Sequence, residues 1–442
     1  MPDIAIIGGG VAGLAAAFTA ANEGASVTLY EAAPFLGGRG ACGPQGDAGR
    51  HLVTTAYTAF LRLLENLGSR DALQLQPLSL GVLAGHRRLW WHLCHPVFGG
   101  SAAGIQFMAS PMISLPQRIP AAISLVHALS TAPREPAPDD LIDANGSRGF
   151  ATTGERSLPD LFRQTRRPGT LQRRLGLVSA RSMCNLPGEE VAADVFLTAL
   201  WRIIDDKQKL AGWARGDLAG LLTAPAPAAL EKAGIRLRMP EPVVSVRRTR
   251  CGWNLKTPNG NDNYDIVICT LPPWSLRPLE QIGELAPLLQ AAGEMESRRI
   301  VTLRAHYQRV ETLPGPLGEE EGEQGVWFSE SQPDGSFRVE YVLSGLDSTE
   351  LIDKEALLKK FHARAQSLLH AEGRIGAPDV RNYPRATVSL KPGVKRPRLF
   401  QTRGFYYAGE WSATGLPCTL EAASLAGETA GRAAALAEVI CS

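Results

Sequence analysis

The feature that most constrains the fold is a glycine-rich turn between an apolar strand and an alanine-rich helix at the start of the chain. Residues 3–7 (DIAII) have the pattern of a buried strand, residues 8–13 (GGGVAG) match G-x-G-x-x-G, and residues 13–24 follow as a helix. A second strand over residues 26–31 ends on Glu31. This strand, helix and strand predict a parallel, Rossmann-like sheet that binds a dinucleotide.

Each glycine of this motif has a physical task at a phosphate site. Gly8 permits the tight turn, Gly10 lets the backbone approach a pyrophosphate, and Gly13 lets the helix and the sheet pack closely. The first turn of the helix offers unpaired backbone N–H groups and the positive end of the helix dipole. The Glu31 carboxylate is expected to accept hydrogen bonds from ribose hydroxyls. The cofactor residues predicted in this part of the chain are Gly8, Gly10, Val11, Ala12, Gly13, Glu31 and Ala32.

Two later glycine turns could surround the same ligand. Residues 37–39 (GGR) add backbone N–H groups and one cation. Near the C-terminus, residues 408–411 (AGEW) offer a carboxylate for a ribityl hydroxyl, and the N-terminus of the final helix could direct N–H groups at a flavin ring. An ordinary turn would explain each segment alone, but one extended cofactor, FAD, explains both ends of the chain together. The further cofactor residues predicted are Gly37, Gly38, Arg39, Val244, Gly409, Glu410, Thr419 and Leu420.

Composition excludes several classes of protein. The 442 residues are 44% hydrophobic and 20% charged, which indicates a folded chain with two domains. The net charge of +2 does not indicate a nucleic-acid partner. Seven scattered cysteines without a C-x-x-C spacing argue against a disulfide framework and against a zinc site, so no metal is predicted and a reducing compartment is expected. Neither a signal peptide nor a spanning apolar run is found, which indicates a cytoplasmic location.

Two stretches have an unusual charge pattern. Residues 89–117 contain no Asp, Glu, Lys or Arg, and both a buried helical subdomain and a surface for a membrane or a lipophilic substrate would explain this. Residues 163–174 hold five arginines and no acid, which is typical of a solvated helix face and also suits anionic lipid head groups. Peripheral contact with the inner face of the cytoplasmic membrane therefore stays open.

The remaining pattern places secondary structure along the chain. Apolar spacing predicts helices over residues 54–67 and 191–205, and a final helix that runs to residue 439. Strand patterns occur at residues 235–237, 243–247, 253–256, 265–271, 300–307, 337–344 and from residue 405. The acidic run at residues 319–323 is predicted to be a surface loop, and residues 132–143 resemble a linker.

Several segments resemble the flavin-containing amine oxidase and carotenoid desaturase superfamily. Besides the N-terminal glycine turns, these are residues 47–51 (DAGRH), 265–273 (DIVICTLPP) and 405–427 (FYYAGEWSATGLPCTLEAASLAG). Within the superfamily the chain is most similar to the hydroxysqualene dehydroxylases, whose GDWTxTGLPATIEGA and LNTPxExAS patterns resemble residues 405–427 and 184–193 (CNLPGEEVAA). The chain departs from these patterns at Glu410, where Asp is usual, at Ser412, where Thr is usual, and at Arg50, where Gln is usual.

The resemblance implies FAD and a reductive dehydroxylation in hopanoid biosynthesis, in which hydroxysqualene becomes squalene. This chemistry needs a proton donor for the leaving hydroxyl and an apolar tunnel around the carbon. His51 is the first candidate for the acid, because the motif that it matches lies by the flavin ring in the family, although a structural histidine is an equal alternative. Tyr57 and Glu421 are weaker candidates. The chain has no second dinucleotide motif, so a transient electron donor is expected.

The sequence therefore predicts an α/β fold: a Rossmann-like FAD-binding domain of the amine oxidase type with an interrupted α+β substrate domain. The FAD-binding domain is predicted over residues 1–80, 215–295 and 380–442, and the substrate domain, with a helical and membrane-facing part, over residues 81–214 and 296–379. An isoprenoid substrate is expected. The alternatives are a carotenoid or isoprenoid desaturase, an amine oxidase, and a lipid carrier of the same fold without flavin catalysis.

Overall fold

The computed structural model describes residues 1–41, 47, 49–77, 79–85, 87–92, 141, 150–164, 176–214, 216–319 and 325–438. The strands are β1 (Asp3–Ile7), β2 (Ser26–Tyr30), β3 (Val53–Thr54), β4 (Leu73–Pro77), β5 (Ser79–Ala84), β6 (Arg87–His92), β7 (Phe150–Thr152), β8 (Leu210–Ala214), β9 (Arg236–Arg238), β10 (Ser245–Thr249), β11 (Gly252–Thr257), β12 (Gly260–Tyr264), β13 (Ile266–Cys269), β14 (Ser297–Arg309), β15 (Leu317–Glu319), β16 (Val326–Ser331), β17 (Phe337–Asp347), β18 (Glu372–Val388), β19 (Lys395–Pro397), β20 (Phe400–Thr402) and β21 (Phe405–Tyr407). The α-helices are α1 (Val11–Asn22), α2 (Gly38–Ala41), α3 (Thr58–Leu67), α4 (Leu158–Gln164), α5 (Leu177–Cys184), α6 (Ala193–Asp205), α7 (Leu218–Leu222), α8 (Ala226–Lys232), α9 (Ala286–Gly293), α10 (Lys354–Leu369) and α11 (Leu420–Ala435).

A six-stranded sheet contains both ends of the chain. Its strand order is β20-β21-β13-β1-β2-β9, and its neighbours run parallel except for the antiparallel pair β20 and β21. The strand, helix and strand predicted at the N-terminus are confirmed as β1, α1 and β2. Because β1 and β21 are parallel members of one sheet, the helices that follow them begin at the same edge of the sheet.

The first and last helices pack directly on each other through small residues. A Cβ atom built on Gly427 would lie 2.1 Å from the backbone oxygen of Ala12, and one built on Gly431 would lie 2.5 Å from that of Ala16. The two helices therefore need glycine at these positions in α11 to approach this closely. The sequence contains the required small residues, but only the structure pairs these two distant helices.

A seven-stranded sheet forms the second large layer, in the order β18-β14-β17-β16-β15-β5-β6. The strands predicted at residues 300–307 and 337–344 are confirmed as the antiparallel neighbours β14 and β17, each longer than expected. Helix α10 packs on this sheet, where Phe361 stacks on Trp327 with 5.5 Å between the ring centroids. The predicted domain boundary at residue 380 lies within β18, so this edge strand crosses the boundary. The domain limits otherwise stay a prediction.

Smaller sheets connect these layers. The strands β3, β8 and β4 form one antiparallel sheet, β10, β11 and β12 form a second, and β19 pairs with β7. The predicted helices at residues 54–67 and 191–205 are confirmed as α3 and α6, and the predicted final helix is α11, which ends at Ala435.

Two expectations from the sequence are corrected. Glu319 was expected in a surface loop, but it ends β15 and is buried, because its carboxylate accepts a hydrogen bond from the Tyr341 hydroxyl (2.6 Å) and pairs with Arg364 (2.8 Å). The rest of that acidic run lies outside the described residues. The cysteine pattern argued against disulfides, whereas Cys251 is disulfide-bonded.

Much of the two unusual stretches lies outside the described residues. In the apolar stretch, residues 93–117 lie outside them. In the arginine-rich stretch, Arg166, Arg167 and the two arginines that follow lie outside them too, as do most of the linker-like residues 132–143. Within the described part, Trp90 packs against the core of the seven-stranded sheet, and Arg163 pairs with Asp160. No helix in the described ranges is both long enough and apolar enough to cross a membrane.

Candidate active site

The turn between β1 and α1 has the geometry of a phosphate cradle. Gly8 has φ +108°, a backbone conformation that side chains disfavour, and a Cβ on Gly13 would lie 1.8 Å from the Gly8 oxygen. At Gly10, in contrast, a Cβ would meet no atom closer than the Gly38 Cα, at 3.9 Å. Gly8 and Gly13 shape the turn, whereas Gly10 leaves open space beside the helix N-terminus, as a bound pyrophosphate requires.

Glu31 is held in place by backbone donors. Its Oε2 accepts the N–H of Gly9 (2.7 Å) and its Oε1 accepts the N–H of Ala33 (2.7 Å). A carboxylate oxygen can accept further hydrogen bonds, so these contacts orient the group and leave acceptor capacity for ribose hydroxyls. Ala32, which follows Glu31 in the chain, is exposed.

The second glycine turn packs against the first. The Gly37 N–H donates to the Gly9 oxygen (2.9 Å), and a Cβ on Gly38 would lie 3.0 Å from the Gly10 Cα. Arg39, which follows, donates to Glu410 at 2.7 Å, and its guanidinium lies 5.0 Å from the centroid of the Trp274 ring. The structure thus brings together the predicted residues from positions 8–13, 37–39 and 410.

The C-terminal segment completes this cradle. Gly409 donates its N–H to the Ser412 hydroxyl (3.1 Å), and the Glu410 carboxylate is mostly buried. Thr419 caps α11, because its hydroxyl oxygen accepts the Ala422 N–H at 3.2 Å. Leu420, the first residue of the helix, is buried. Since α1 and α11 pack together, the N-termini of both helices lie where one extended cofactor could contact them.

Val244 lies at the margin of the cradle. It is 48% exposed, and its N–H donates to the Lys256 oxygen (2.8 Å). Its segment contacts the end of β2, because the Glu241 N–H donates to the Glu31 oxygen at 2.7 Å. The role of Val244 in holding FAD stays a prediction.

The candidate catalytic residues occupy two separate places. His51 lines a small cavity with Asp47 and Arg50, and burial lowers the pKa of His51 to about 4, so its imidazole is neutral near pH 7. A neutral imidazole is a weak proton donor. Tyr57 instead lies at the start of α3, where burial, reinforced by the Glu421 charge, raises the pKa of its hydroxyl to about 12. The roles of His51 and Tyr57 stay predictions.

Glu421 has a structural explanation. It is 1% exposed, and its carboxylate accepts the backbone N–H groups of Ala59 (3.2 Å) and Phe60 (2.8 Å) at the start of α3. It also pairs with Arg202 of α6 at 2.5 Å. The Glu421 side chain therefore links α11 to α3 and α6. These contacts explain its burial without a catalytic role.

Sequence reasoning missed a cluster of buried charges beside His51. Arg50 is paired with Glu330 and, at 3.0 Å, with Glu340, which in turn pairs with Arg304 at 2.5 Å. Burial alone would raise the pKa of Glu340, but the guanidinium groups around it hold that pKa below its usual range. Arg50 and Asp47 belong to the DAGRH segment, which was the only part of this cluster that the sequence motif indicated. The other charged members come from β14, β16 and β17.

The cradle fits FAD on the chain's own geometry. The open space at Gly10, the oriented Glu31 carboxylate and the Arg39–Glu410 pair suit a pyrophosphate, a ribose and a ribityl chain in that order. In the part of the chain that the structure describes, no group of three or more His, Cys, Asp or Glu side chains is placed to hold a metal ion.

Comparison with known proteins agrees with this geometry. The family model described as flavin containing amine oxidoreductase matches residues 11–435. A short segment of the chain is similar to the carotenoid phi-ring synthase of Streptomyces griseus, with 40% identity over 84 residues, which is 19% of this chain and 16% of that protein. Another short match is to the zeta-carotene desaturase of Synechocystis sp., with 35% identity over 78 residues, which is 16% of each protein. These matches span about a sixth of each relative.

A solved structure extends the likeness to the whole fold. The cyclohexylamine oxidase of Brevibacterium oxydans superposes with a TM-score of 0.64 over 98% of both chains, at 16% sequence identity. At that identity the similarity concerns the fold alone, and the family follows from the match over residues 11–435. The chain therefore belongs to the flavin containing amine oxidoreductase family, and its cofactor is FAD.

Proposed function

We propose that this flavin-dependent oxidoreductase converts hydroxysqualene to squalene in hopanoid biosynthesis. The reaction replaces the hydroxyl group by hydrogen: the substrate takes up a hydride and a proton, and water leaves. Bound FAD, in its reduced form, supplies the hydride. The protein must hold the cofactor, exclude water from the reacting carbon and provide the proton.

One observation carries this proposal. Two runs resemble the hydroxysqualene dehydroxylases, residues 184–193 and residues 405–427. At least 210 residues separate the two runs in sequence, yet both contribute to one apolar core. Cys184 and Leu186 of the first run join Trp411 and Cys418 of the second, and all four are buried. This core lies directly beside Glu410 of the cofactor cradle, where an apolar wall would protect an allylic cation from water.

The proposed roles of the cradle follow from its contacts. The backbone at Gly8, Gly10 and Gly13 would bind the pyrophosphate, Glu31 the ribose, and the Arg39–Glu410 pair the phosphate and ribityl region. His51 is proposed to contact the reacting region, and Tyr57 to act from the start of α3. The His51→Ala variant should keep FAD and turn over more slowly, and an unchanged rate would remove His51 from the mechanism.

The direct test is an anaerobic assay of the purified protein, reduced with dithionite, with hydroxysqualene as substrate. Squalene should accumulate, as followed by mass spectrometry, while the visible absorption of oxidised flavin returns. A protein that contains FAD but leaves hydroxysqualene unchanged would overturn the proposal. The matched control is the same protein kept oxidised, which should form no squalene because no hydride is available.

A second candidate function is favoured by the two carotenoid enzymes among the relatives. As a carotenoid or isoprenoid desaturase, the protein would remove hydrogen from a polyene precursor, so FAD would be used in the oxidising direction. Incubation of the oxidised protein with a carotene precursor distinguishes the two functions. New conjugated double bonds, seen as longer-wavelength absorption of the product, would favour the desaturase.

Two partners complete the proposal. A transient electron donor would reduce the flavin between turnovers. Peripheral contact with the inner face of the cytoplasmic membrane would give access to an insoluble isoprenoid, and cosedimentation with liposomes tests this contact. Recovery of the protein in the supernatant at every lipid concentration would contradict the membrane contact without affecting the reaction.

A further inference from the structure

A small cavity with a charged and polar lining lies beside the DAGRH segment. It has room for about one water-sized group. Its main lining side chains are Asp47, Arg50, His51, Trp213, Arg304 and Glu340. A hydrocarbon chain would gain nothing from such a lining, because burying polar groups without partners is costly. The cavity therefore suits the polar end of a ligand.

One nitrogen of the Arg50 guanidinium lacks a partner there. Its side chain is only 5% exposed, its Nε donates to Glu340 at 3.0 Å, and its guanidinium lies 4.8 Å from the centroid of the Trp213 ring. Its Nη2 pairs with Glu330, whereas its buried Nη1 has no hydrogen-bond partner among the described residues. A buried donor of this kind calls for an acceptor oxygen.

Asp47 lines the same cavity with a carboxyl group that can hold a proton. It is 6% exposed, and its Oδ1 accepts the Leu218 N–H at 2.8 Å. Burial raises its pKa to about 7. Among the charged groups around Asp47, Asp217 and Glu340 raise this pKa and Arg304 lowers it. Arg381 donates to the Asp47 backbone oxygen at 3.3 Å.

We propose that this cavity receives the hydroxyl group of the substrate, with Nη1 of Arg50 donating to its oxygen and Asp47 protonating that oxygen as it leaves. The inference rests on the proposed dehydroxylation. The carbon–oxygen bond breaks, and the oxygen keeps the bonding pair, takes the proton of Asp47 and departs as water. The carbon accepts the hydride that the proposed reaction provides, and Asp47 recovers its proton from solvent.

Asp47 and Arg50 would have different roles in this step. A donor whose pKa lies near the working pH is the most effective general acid, and Asp47 meets this condition whereas the neutral His51 does not. The Arg50 guanidinium would stabilise negative charge that develops on the leaving oxygen. The cavity would thereby supply the proton donor for which His51 was the first candidate from the sequence.

Ligand binding by the oxidised protein, which does not turn over, tests the role of Arg50. We expect wild-type protein to bind hydroxysqualene about tenfold more tightly than squalene, as measured by the change in flavin absorption on titration. The Arg50→Lys variant keeps a positive charge beside Glu330 and Glu340 but lacks the planar fork, so this preference should fall to about onefold. Equal binding of the two ligands by wild type, or an unchanged preference in Arg50→Lys, would overturn the proposal.

The role of Asp47 is tested with Asp47→Asn, since the amide has the same shape and can still accept the Leu218 N–H. FAD content and the flavin spectrum should stay as in wild type, while turnover falls about 100-fold or more. The wild-type rate should decline as the pH rises through about 7, where Asp47 loses its proton, and this decline should be absent from the residual activity of the variant. Asp71→Asn is the matched control, because Asp71 is an exposed carboxylate that does not line the cavity, and it should leave turnover unchanged.

The outcomes separate the two proposals. Wild-type protein that converts hydroxysqualene, with Asp47→Asn equally active and equally pH-dependent, overturns the inference about the cavity and leaves the proposed function in place. Wild-type protein that holds FAD but does not convert hydroxysqualene overturns both. If Asp47→Asn fails to hold FAD, the binding preference of Arg50→Lys decides.

Discussion

The six-stranded and seven-stranded sheets bury different chemistry. The six-stranded sheet has an apolar interior, and the residues proposed to hold FAD at its edge are mainly glycines at positions 8–13 and 37–38. The seven-stranded sheet buries a network of ionised side chains, with Glu340 at 1% exposure facing three arginines. A backbone site depends on local conformation and small residues, whereas a charge network depends on every partner being present.

The first prediction separates binding from folding in the nucleotide-binding region. In Gly10→Val the protein should fold, because a Cβ meets only the Gly38 Cα at 3.9 Å, but it should purify without FAD, because the side chain would occupy the pyrophosphate space. The ratio of flavin to protein absorption and a circular dichroism spectrum measure the two properties. Stoichiometric FAD in this variant would contradict our placement of the cofactor.

The second prediction concerns the charge network. Glu340→Gln removes a buried charge that faces Arg50, Arg304 and Arg338, so the free energy of unfolding should fall by about 3–5 kcal/mol. Urea denaturation of the FAD-bound protein measures this loss. The matched control is Glu372→Gln, which removes an exposed partner of Arg309 and should cost less than about 1 kcal/mol. Similar losses in both variants would remove the contrast between the buried and the exposed pair.

The third prediction asks whether the nucleotide-binding region also depends on a charge pair. Glu410→Gln weakens the contact with Arg39, so the dissociation constant of FAD should rise about tenfold while the fold persists. Fluorescence titration of the apoprotein with FAD measures the change. Glu284→Gln, at the surface pair with Arg248, should leave FAD affinity unchanged. An equal rise in both variants would point to a general loss of stability.

The last prediction is a pH dependence of stability. The folded pKa of His51, about 4, lies below its ordinary value of 6.5, so its contribution to stability is full above about pH 6.5 and is lost as the pH falls through about 4. His51→Asn should therefore lose less stability than wild type between pH 6.5 and 4.5, by at most about 1.4 kcal/mol per pH unit. Thermal melts across this range provide the test, and parallel curves would contradict the assignment.

Prediction from sequence succeeded where the fold depends on adjacent residues. The strand at residues 3–7, the turn at Gly8 and the helix that follows are neighbours in the chain, so their spacing was sufficient to predict their geometry. The burial of Glu319 could not be predicted in this way, because it results from Tyr341 and Arg364, which come from elements that pack on it only in the folded chain. The disulfide at Cys251 escaped prediction because its bond depends on spatial proximity rather than on a spacing motif.

The sequence by itself determined the Rossmann-like start and the positions of its glycines, because these follow from local backbone conformation. The tertiary structure alone decided which distant segments meet. It packed α1 on α11 through Gly427 and Gly431, and it surrounded Arg50 with glutamates from β16 and β17. The physical reason is that burial and charge pairing depend on the distances between side chains in space, which the linear order of residues does not contain.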